Sequence, residues 1–390
     1  MRVLLAYESG YGLGHVNRLA DVARRLRRHG VISTLATFRL DDADRFADSF
    51  ETVLQAPVWP SFFGSQRSLL ISTGPSFATA LANLGFRDAR HITANQRAWA
   101  ALFDACKPDV VVADFAPGAI LAAKGRFRSI QIGGPFYTPA MDGEKFPPFL
   151  AEQLTDGKLE IEIAAAIDTA MDRLGRAPPA CLSAAVIADQ SLPMGFAELD
   201  PYLPFRNEPL LAPDMIELSS FRRERGDAVF AYIPEWLQHN DVLMASFCAL
   251  KLPVFLFIPH IPEPLAEGLT GRNVKLATAP FSNDELARSA RVFIHHGGLG
   301  SSQIGLVAGV PQVSVEADME KIVNGRALTA LGVGRSLPHD RITLPKVQDA
   351  ITALYEDEAV QKRAADVAVE MRARISGQHP LDTVVDRILG

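Results

Sequence analysis

Short apolar runs alternate along this chain with stretches in which apolar residues recur every three or four positions. The short runs are typical of buried parallel strands, and the longer stretches are typical of helices that cover a sheet. The pattern predicts strands at 3–6, 31–36, 110–113, 129–132, 228–232, 254–258, 274–277, 292–294 and 312–315. Because strands and helices alternate in both halves, we expect an α/β protein with two successive parallel sheets.

A proline-rich segment near the middle of the chain interrupts this alternation. Pro204, Pro209 and Pro213 precede a charged run at 222–225, which is typical of a linker. At 390 residues the chain is long for one domain and comfortable for two. We therefore expect a first domain at 1–210, a second at 211–377, and a helix at 378–390 that packs back on the first.

Composition excludes some classes of protein. The net charge of −6 gives no broad basic surface, so nucleic acid is not an expected partner. Three scattered cysteines, Cys106, Cys181 and Cys248, have neither metal-site nor disulfide spacing, which indicates a reducing, cytoplasmic compartment. No apolar run reaches the roughly 18 residues of a membrane span, and the first ten residues fit a strand better than a signal peptide.

The strand predicted at 292–294 leads into a polar, glycine-rich turn, HHGGLGSS, and then into a helix that ends at Gly309. Backbone N–H groups and the positive end of the helix dipole converge at such a turn, and glycine lets a phosphate approach. The sequence therefore indicates an anion site. The turn taken alone is equally consistent with a tight connection that binds nothing.

The first strand is followed by a second glycine-rich turn and by His15 at the start of a helix. No acidic residue ends the next strand, which disfavours a nicotinamide-dinucleotide enzyme. A lone histidine at a helix start is more often a cap or an exposed residue. Asp114 ends the strand predicted at 110–113, where ligands of α/β sheets collect, but it could equally cap the helix that begins near Pro117.

Taken together, these segments resemble the UDP-glycosyltransferase superfamily. The second half has HHGGLGSS, AGVP, VNG and GVG in the order of the family's HGGxGS, GVP, NA and GxG donor motif. In the first half, GLGHVNR is similar to the family's GxGHxxP or GxGHxxR start, and PDVVVAD is similar to its PDVVVxD segment. The resemblance implies a GT-B architecture, in which two Rossmann-like domains face each other across a cleft.

The resemblance also implies roles for individual residues. His15 would be the general base of an inverting, hexosyltransferase-like reaction, and Asp114 would orient it. The nucleotide diphosphate and its sugar would be bound by His296, Gly297, Gly298, Gly300, Ser301, Glu320, Lys321 and Asn324. The acceptor side would include Gly12, Gly14 and Phe136. The expected partners are a small-molecule acceptor and a UDP- or dTDP-sugar donor, with no metal or other cofactor required.

Three positions depart from the family pattern. Ile304 stands where a glutamate usually holds the ribose hydroxyls, and Glu320-Lys321 stand where an Asp-Gln pair usually reads the sugar. A bulky turn at 232–235 stands where relatives often have a small phosphate-binding turn. We therefore expect recognition of ribose and sugar to differ from the family's usual mode.

Two other functions remain open at this stage. Nucleotide-sugar hydrolases and epimerases share GxGHxxR and release the sugar, and a catalytically inactive subunit could assist a partner transferase. The apolar segment at 57–86 is either core or a surface that lines the acceptor site or touches the membrane periphery. The sequence identifies neither the acceptor nor the oligomeric state.

Overall fold

The computed structural model describes residues 1–9, 13–63, 74–155, 157–214, 216, 226–271, 273–375 and 377–390. The chain divides into two compact units. Unit 1 comprises 1–214 together with 378–390, and unit 2 comprises 215–377.

The described part of unit 1 contains a parallel sheet of six strands in the order β3-β2-β1-β4-β5-β6. The strands are β1 (Arg2–Tyr7), β2 (Ile32–Thr37), β3 (Thr52–Gln55), β4 (Val110–Asp114), β5 (Arg128–Gly133) and β6 (Gln190–Pro193). The helices are α1 (Gly14–Arg27), α2 (Leu40–Asp44), α3 (Phe77–Leu81), α4 (Ala89–Cys106), α5 (Pro117–Ala123), α6 (Lys158–Arg173), α7 (Leu182–Val186) and, after unit 2, α15 (Pro380–Leu389). The strand order reverses between β1 and β4, which is where doubly wound sheets bind ligands.

Both faces of this sheet are buried. Successive residues of β1 point to opposite faces, so Val3 and Leu5 pack with α1 and α15, whereas Leu4 and Ala6 pack with α4 and α5. The C-terminal helix α15 inserts Leu381, Val384, Val385 and Ile388 into the first of these clusters. The tail of the chain is thus part of the core of unit 1.

Unit 2 repeats this topology. Its described strands form a parallel sheet in the order β12-β11-β10-β7-β8-β9, which reverses between β7 and β10. The strands are β7 (Ala228–Tyr232), β8 (Val254–Phe257), β9 (Val274–Leu276), β10 (Ala290–His295), β11 (Gln312–Glu316) and β12 (Gly334–Pro338). The helices are α8 (Asp241–Ala249), α9 (Glu263–Leu269), α10 (Asn283–Ser289), α11 (Leu299–Ala308), α12 (Met319–Ala330), α13 (Leu344–Glu356) and α14 (Glu358–Ile375).

The predicted α/β class with two parallel sheets is confirmed, and the differences are local. Helix α8 begins at Asp241, because the Asn240 side chain caps it. The described parts of the apolar segment at 57–86 contain short helical pieces, and its central residues 64–73 lie outside the described part of the chain. Within the described residues, none of the helices combines the length and the apolar character needed to span a bilayer.

Candidate active site

The reversal point of the first sheet brings His15 and Asp114 together. His15 is the second residue of α1, which follows β1, and Asp114 is the last residue of the adjacent strand β4. Nδ1 of His15 lies 2.8 Å from Oδ1 of Asp114, and both residues are buried. Asp114 does not cap α5, whose N-cap is Ala116 without a side-chain hydrogen bond, so the capping interpretation of Asp114 is wrong.

Asp114 is held as a carboxylate. Burial alone would raise the pKa of Asp114, but the neighbouring His15 and Arg18 hold that pKa below its usual value. A carboxylate only accepts hydrogen bonds, so Nδ1 of His15 carries the proton that Asp114 accepts. In the neutral imidazole, Nε2 is then left with a lone pair that can take up a proton.

The backbone beside Asp114 accommodates this contact. A Cβ atom added at Gly133 would lie 2.7 Å from Oδ1 of Asp114, the atom that accepts from His15. Glycine at the end of β5 therefore allows the carboxylate to approach. Any side chain at position 133 would displace it.

Aromatic rings fix the imidazole on its other sides. The Tyr7 ring stacks on the His15 ring with centroids 4.8 Å apart, and the Tyr137 ring meets its edge at 5.4 Å. Phe136 is 4% exposed and stacks on Phe149, so its contact with an acceptor stays a prediction. Gly14 is the first residue of α1, whereas Gly12 lies outside the described residues.

In unit 2 the turn after β10 contains two histidines with different roles. His295 is fully buried, and burial lowers its pKa to about 4. Its Nδ1 accepts from the Gly297 N–H (3.0 Å), so the proton of the neutral ring is on Nε2, which donates to Oε1 of Gln312 (2.9 Å). His295 therefore ties the turn to β11.

His296 points away from this internal network. Burial, with the positive charge of Lys321 beside it, lowers the pKa of His296 to about 3, so the ring is neutral at ordinary pH. The Tyr232 ring meets it edge-on at 5.6 Å. Among the described residues, Nδ1 of His296 has no hydrogen-bond partner although the atom is buried. A neutral imidazole with an unsatisfied nitrogen suits a ligand atom at this turn.

The turn continues into the start of α11. Gly297 has φ +81°, a conformation that favours glycine, and Gly298 is the N-cap residue. The first hydrogen bond of the helix runs from Ser302 N–H to Gly298 O (3.0 Å), and Gly300 and Ser301 lie in the first turn. The amide groups at this end of the helix form the kind of site that binds phosphate.

Helix α12 packs against the same turn. Nδ2 of Asn324 donates to Gly297 O (2.9 Å), which places Asn324 as a support of the turn. Nζ of Lys321 lies 2.7 Å from Oε2 of Glu320 and 3.1 Å from Oδ2 of Asp318, the residue that caps α12. The positive charge of Lys321 is therefore balanced by carboxylates of its own helix start.

Ile304, the residue at the family's ribose position, lies one turn further along α11. Its partly buried side chain packs against an apolar cluster that includes Phe230, Phe293 and Val310. The neighbouring Gln303 is 3% exposed, and its Nε2 has no hydrogen-bond partner among the described residues. Where the resembling family usually has a carboxylate, this chain thus has an apolar side chain, with a buried amide beside it in sequence.

Sequence reasoning missed a buried carboxyl group in unit 2. Glu316 ends β11 and accepts hydrogen bonds from the Ser314 and Ser336 hydroxyls, both at 2.6 Å. Burial raises the pKa of Glu316 to about 7. A Cβ atom at Gly325 would overlap Oε1 of Glu316, which explains why this chain has Asn-Gly where the resembling motif has Asn-Ala. The Asn-Gly difference was visible in the sequence, but its cause was not.

Sequence reasoning also missed Arg18 and Asp214, which extend the His15–Asp114 contact. Arg18 lies three residues after His15 on α1, a spacing that places both on one helix face. Asp214 is distant in sequence and gives no local signal. Among the described residues, no group of three or more His, Cys, Asp or Glu side chains is arranged to hold a metal ion.

Comparison with known proteins finds relatives of this chain at the level of sequence and of fold. Residues 243–386 match the family described as erythromycin biosynthesis protein CIII-like, C-terminal domain. A 128-residue stretch is 32% identical to the L-demethylnoviosyl transferase of Streptomyces niveus, and it spans 32% of this chain and 33% of that protein. The chain therefore covers about a third of the length of this relative.

Solved structures match over nearly the whole chain. The calicheamicin glycosyltransferase CalG4 superposes with a TM-score of 0.72 at 20% identity, covering 99% of this chain and 97% of CalG4. The glycosyltransferase VinC in complex with dTDP gives a TM-score of 0.66 at 16% identity, covering 99% of this chain and 100% of VinC. Residues 243–386 thus match the C-terminal domain of this erythromycin biosynthesis protein family, and the chain as a whole shares the two-sheet fold of these solved glycosyltransferases.

Proposed function

We propose that the chain is an inverting glycosyltransferase, which moves a sugar from a nucleoside diphosphate to a hydroxyl group of a small apolar acceptor. The observation that carries the proposal is the 2.8 Å contact between Nδ1 of His15 and Oδ1 of Asp114. It fixes the ring tautomer, leaves Nε2 as the base and stabilises the imidazolium that proton uptake creates.

The reaction uses each unit for a different task. Nε2 of His15 takes the proton of the acceptor hydroxyl while the acceptor oxygen forms a bond to the anomeric carbon. The bond from that carbon to the diphosphate oxygen breaks, and its electron pair leaves with the diphosphate. The amide groups at the start of α11 and the ring of His296 stabilise the leaving anion. Attack opposite the leaving group inverts the anomeric configuration.

We assign a dTDP-sugar rather than a UDP-sugar as the donor. Ile304 offers an apolar side chain where the family's glutamate would hold ribose hydroxyls. A deoxyribose has one hydroxyl fewer to satisfy, so it loses less from this replacement. The dTDP complex of the structural neighbour VinC supports the same assignment.

The acceptor class follows from the surroundings of His15. A chain of rings extends from Tyr7 to Phe38 at 5.1 Å and on to Phe62 at 4.8 Å, and Tyr137 stands on the other side of the imidazole. Phe38 and Phe62 are only partly buried. Aromatic side chains of this kind favour an apolar, ring-containing acceptor that presents a hydroxyl group.

The test is a turnover assay on the purified full chain. A panel of dTDP- and UDP-sugars is incubated with and without hydroxylated aromatic and macrocyclic acceptors, and products are identified by mass. We expect a glycosylated acceptor and an equal amount of nucleoside diphosphate, with the sugar's anomeric configuration inverted by NMR. His15→Ala serves as the inactive control.

Three results would contradict this proposal in different ways. Nucleoside diphosphate and free sugar released at full rate without acceptor would indicate a hydrolase. Retention of configuration would exclude direct displacement. Tight dTDP binding with no turnover on any donor or acceptor would favour an inactive subunit of a partner transferase.

A further inference from the structure

Beyond the His15–Asp114 pair, a chain of buried charges continues through α1. Nη1 of Arg18 donates to Oδ2 of Asp114 (2.7 Å), the oxygen that His15 does not use. Nε and Nη2 of Arg18 donate to Oδ2 and Oδ1 of Asp214, at 2.7 and 3.3 Å. Arg18 is 6% exposed and Asp214 8%, so all four side chains are largely removed from water.

We propose that Arg18 and Asp214 are positioning residues for His15, and this inference rests on the proposed function of His15 as base. Arg18 fixes the Asp114 carboxylate so that Oδ1 faces Nδ1 of His15. Asp214 balances the charge that Arg18 brings into the site.

The charge balance gives Asp214 its role. Asp114, Arg18 and Asp214 together carry one negative charge, which a protonated His15 brings to zero. Without Asp214 the same group would be neutral, and protonating His15 would leave an uncompensated positive charge in a buried site. Charge interactions are strong where water is excluded, so this difference acts on the proton transfer itself.

Stability alone does not account for the arrangement. Replacing a buried ion pair or triad with apolar residues of similar size is often neutral or stabilising. The resembling start motif has either proline or arginine at the Arg18 position, so a charge is not needed there to form the first helix. Arg18 places a cation beside the carboxylate of Asp114, and Asp214 supplies a second carboxylate to that cation. The effect of Arg18 on Asp114 explains this arrangement better than stability does.

The charge balance predicts an unusual pattern in a double-mutant cycle. Asp214→Asn removes the balancing charge, and we expect kcat to fall on the order of 10-fold. Arg18→Met with Asp214→Leu removes the cation and its partner together and restores one negative charge beside His15. We therefore expect the double variant to turn over faster than Asp214→Asn alone, with the KM for donor unchanged in both.

The experiment measures kcat and KM for wild type, Asp214→Asn, Arg18→Lys, the single variants Arg18→Met and Asp214→Leu, and the double variant that combines these two, with dTDP affinity by calorimetry as a check on unit 2. Arg18→Lys keeps the charge with a single donor group and serves if the double variant does not fold. It is expected to retain more activity than Asp214→Asn. Wild-type kcat in Asp214→Asn, or a double variant at or below the product of the single effects, would overturn the proposal.

A second readout does not depend on turnover. The proton on Nδ1 of His15, bonded to a carboxylate, gives a downfield NMR signal that is assigned by its loss in His15→Asn. We expect Arg18→Met to broaden or remove this signal, because Asp114 is then free to rotate. A sharp, unshifted signal in folded Arg18→Met would refute the positioning role. If wild type turns over no substrate yet this signal depends on Arg18, the proposed function fails and the positioning role stands.

Discussion

The two sheets reverse their strand order at equivalent places, β1/β4 in unit 1 and β7/β10 in unit 2, yet the side chains there differ in kind. At the first reversal His15 lies against an ionised carboxylate and between two tyrosine rings. At the second, His296 lies against Tyr232 and the start of α11, with its pKa lowered to about 3.

The same sheet topology can therefore place chemically different groups at its two reversal points. The sheet determines where loops and strand ends converge, whereas the residues placed there determine the chemistry. The Asp114 carboxylate holds the proton of the neutral His15 ring on Nδ1 and leaves Nε2 with its lone pair. Burial and a neighbouring lysine make His296 poor at receiving one, so it can act only as a neutral group beside the helix dipole.

The largest expected effect tests the His15 site. His15→Ala should lower kcat by about 10²–10⁴-fold, because it deletes the general base. Asp114→Asn should cost less, since it misorients the base without removing it. The double variant should be little worse than His15→Ala, because groups that act as one unit are not additive. Steady-state kinetics with a saturating donor measure all three.

The control for this series is His29→Ala, which changes an exposed histidine just beyond the end of α1. Donor affinity should be unaltered in every variant, because the donor is assigned to unit 2. A His15→Ala enzyme with near-normal kcat would place the base elsewhere. Fully multiplicative losses would show that His15 and Asp114 do not act together.

The next effect concerns Glu316, whose pKa is raised to about 7 by burial. The folded state then holds a proton that the unfolded state has lost, so the free energy of unfolding falls as pH rises from about 4.5 to about 7. Glu316→Gln abolishes this dependence. As pH rises from about 4.5 to about 7, the free energy of unfolding of the variant should therefore increase by on the order of 3 kcal/mol relative to that of wild type.

Native-state hydrogen exchange of the amides in β11 measures this local free energy without assuming two-state unfolding of both units. The exposed Glu370→Gln on α14 is the matched control and should leave the pH dependence unchanged. Parallel pH curves for wild type and Glu316→Gln would mean that Glu316 ionises as it does in water.

A smaller effect tests the His296 turn. His296→Ala should weaken dTDP binding by roughly 1.5–3 kcal/mol, since it removes a hydrogen bond to a charged phosphate. The fold should survive, because His295 rather than His296 ties the turn to β11. Calorimetry with dTDP and UDP measures the loss, with exposed His239→Ala as the control. Unchanged affinity for both nucleotides would remove His296 from the donor site.

The smallest effect is expected for Lys321→Gln, which restores the amide of the family's Asp-Gln pair. Lys321 already has Glu320 and Asp318 as partners. Its loss should therefore change donor KM by an amount that corresponds to a free energy of about 1 kcal/mol or less, and it should leave kcat unchanged. Competition between two dTDP-sugars gives the preference directly, with exposed Lys346→Gln as the control. An unaltered donor preference would make Lys321 a structural residue of α12.

The strands of both cores were predictable because buried parallel strands read as continuous apolar runs. The short edge strands β3, β6 and β12 were not, since their apolar signal is weak. The resemblance predicted His15 and Asp114, and the sheet brings them into contact. Arg18 and Asp214 are 196 positions apart, and Glu316 and Gly325 lie on a strand and on the helix that follows it, so no local pattern predicts either contact.

Helix α15 makes unit 2 an insertion within unit 1, because the chain leaves unit 1 after Asp214 and returns at Gln378. For protein engineering, exchange of unit 2 with the corresponding unit of a relative therefore needs two junctions in the chain. A single junction would import a foreign α15, whose side chains would have to replace Leu381, Val384, Val385 and Ile388 in the native core around β1 and α1. Hybrid enzymes that retain the native tail should fold more reliably than simple head-to-tail fusions.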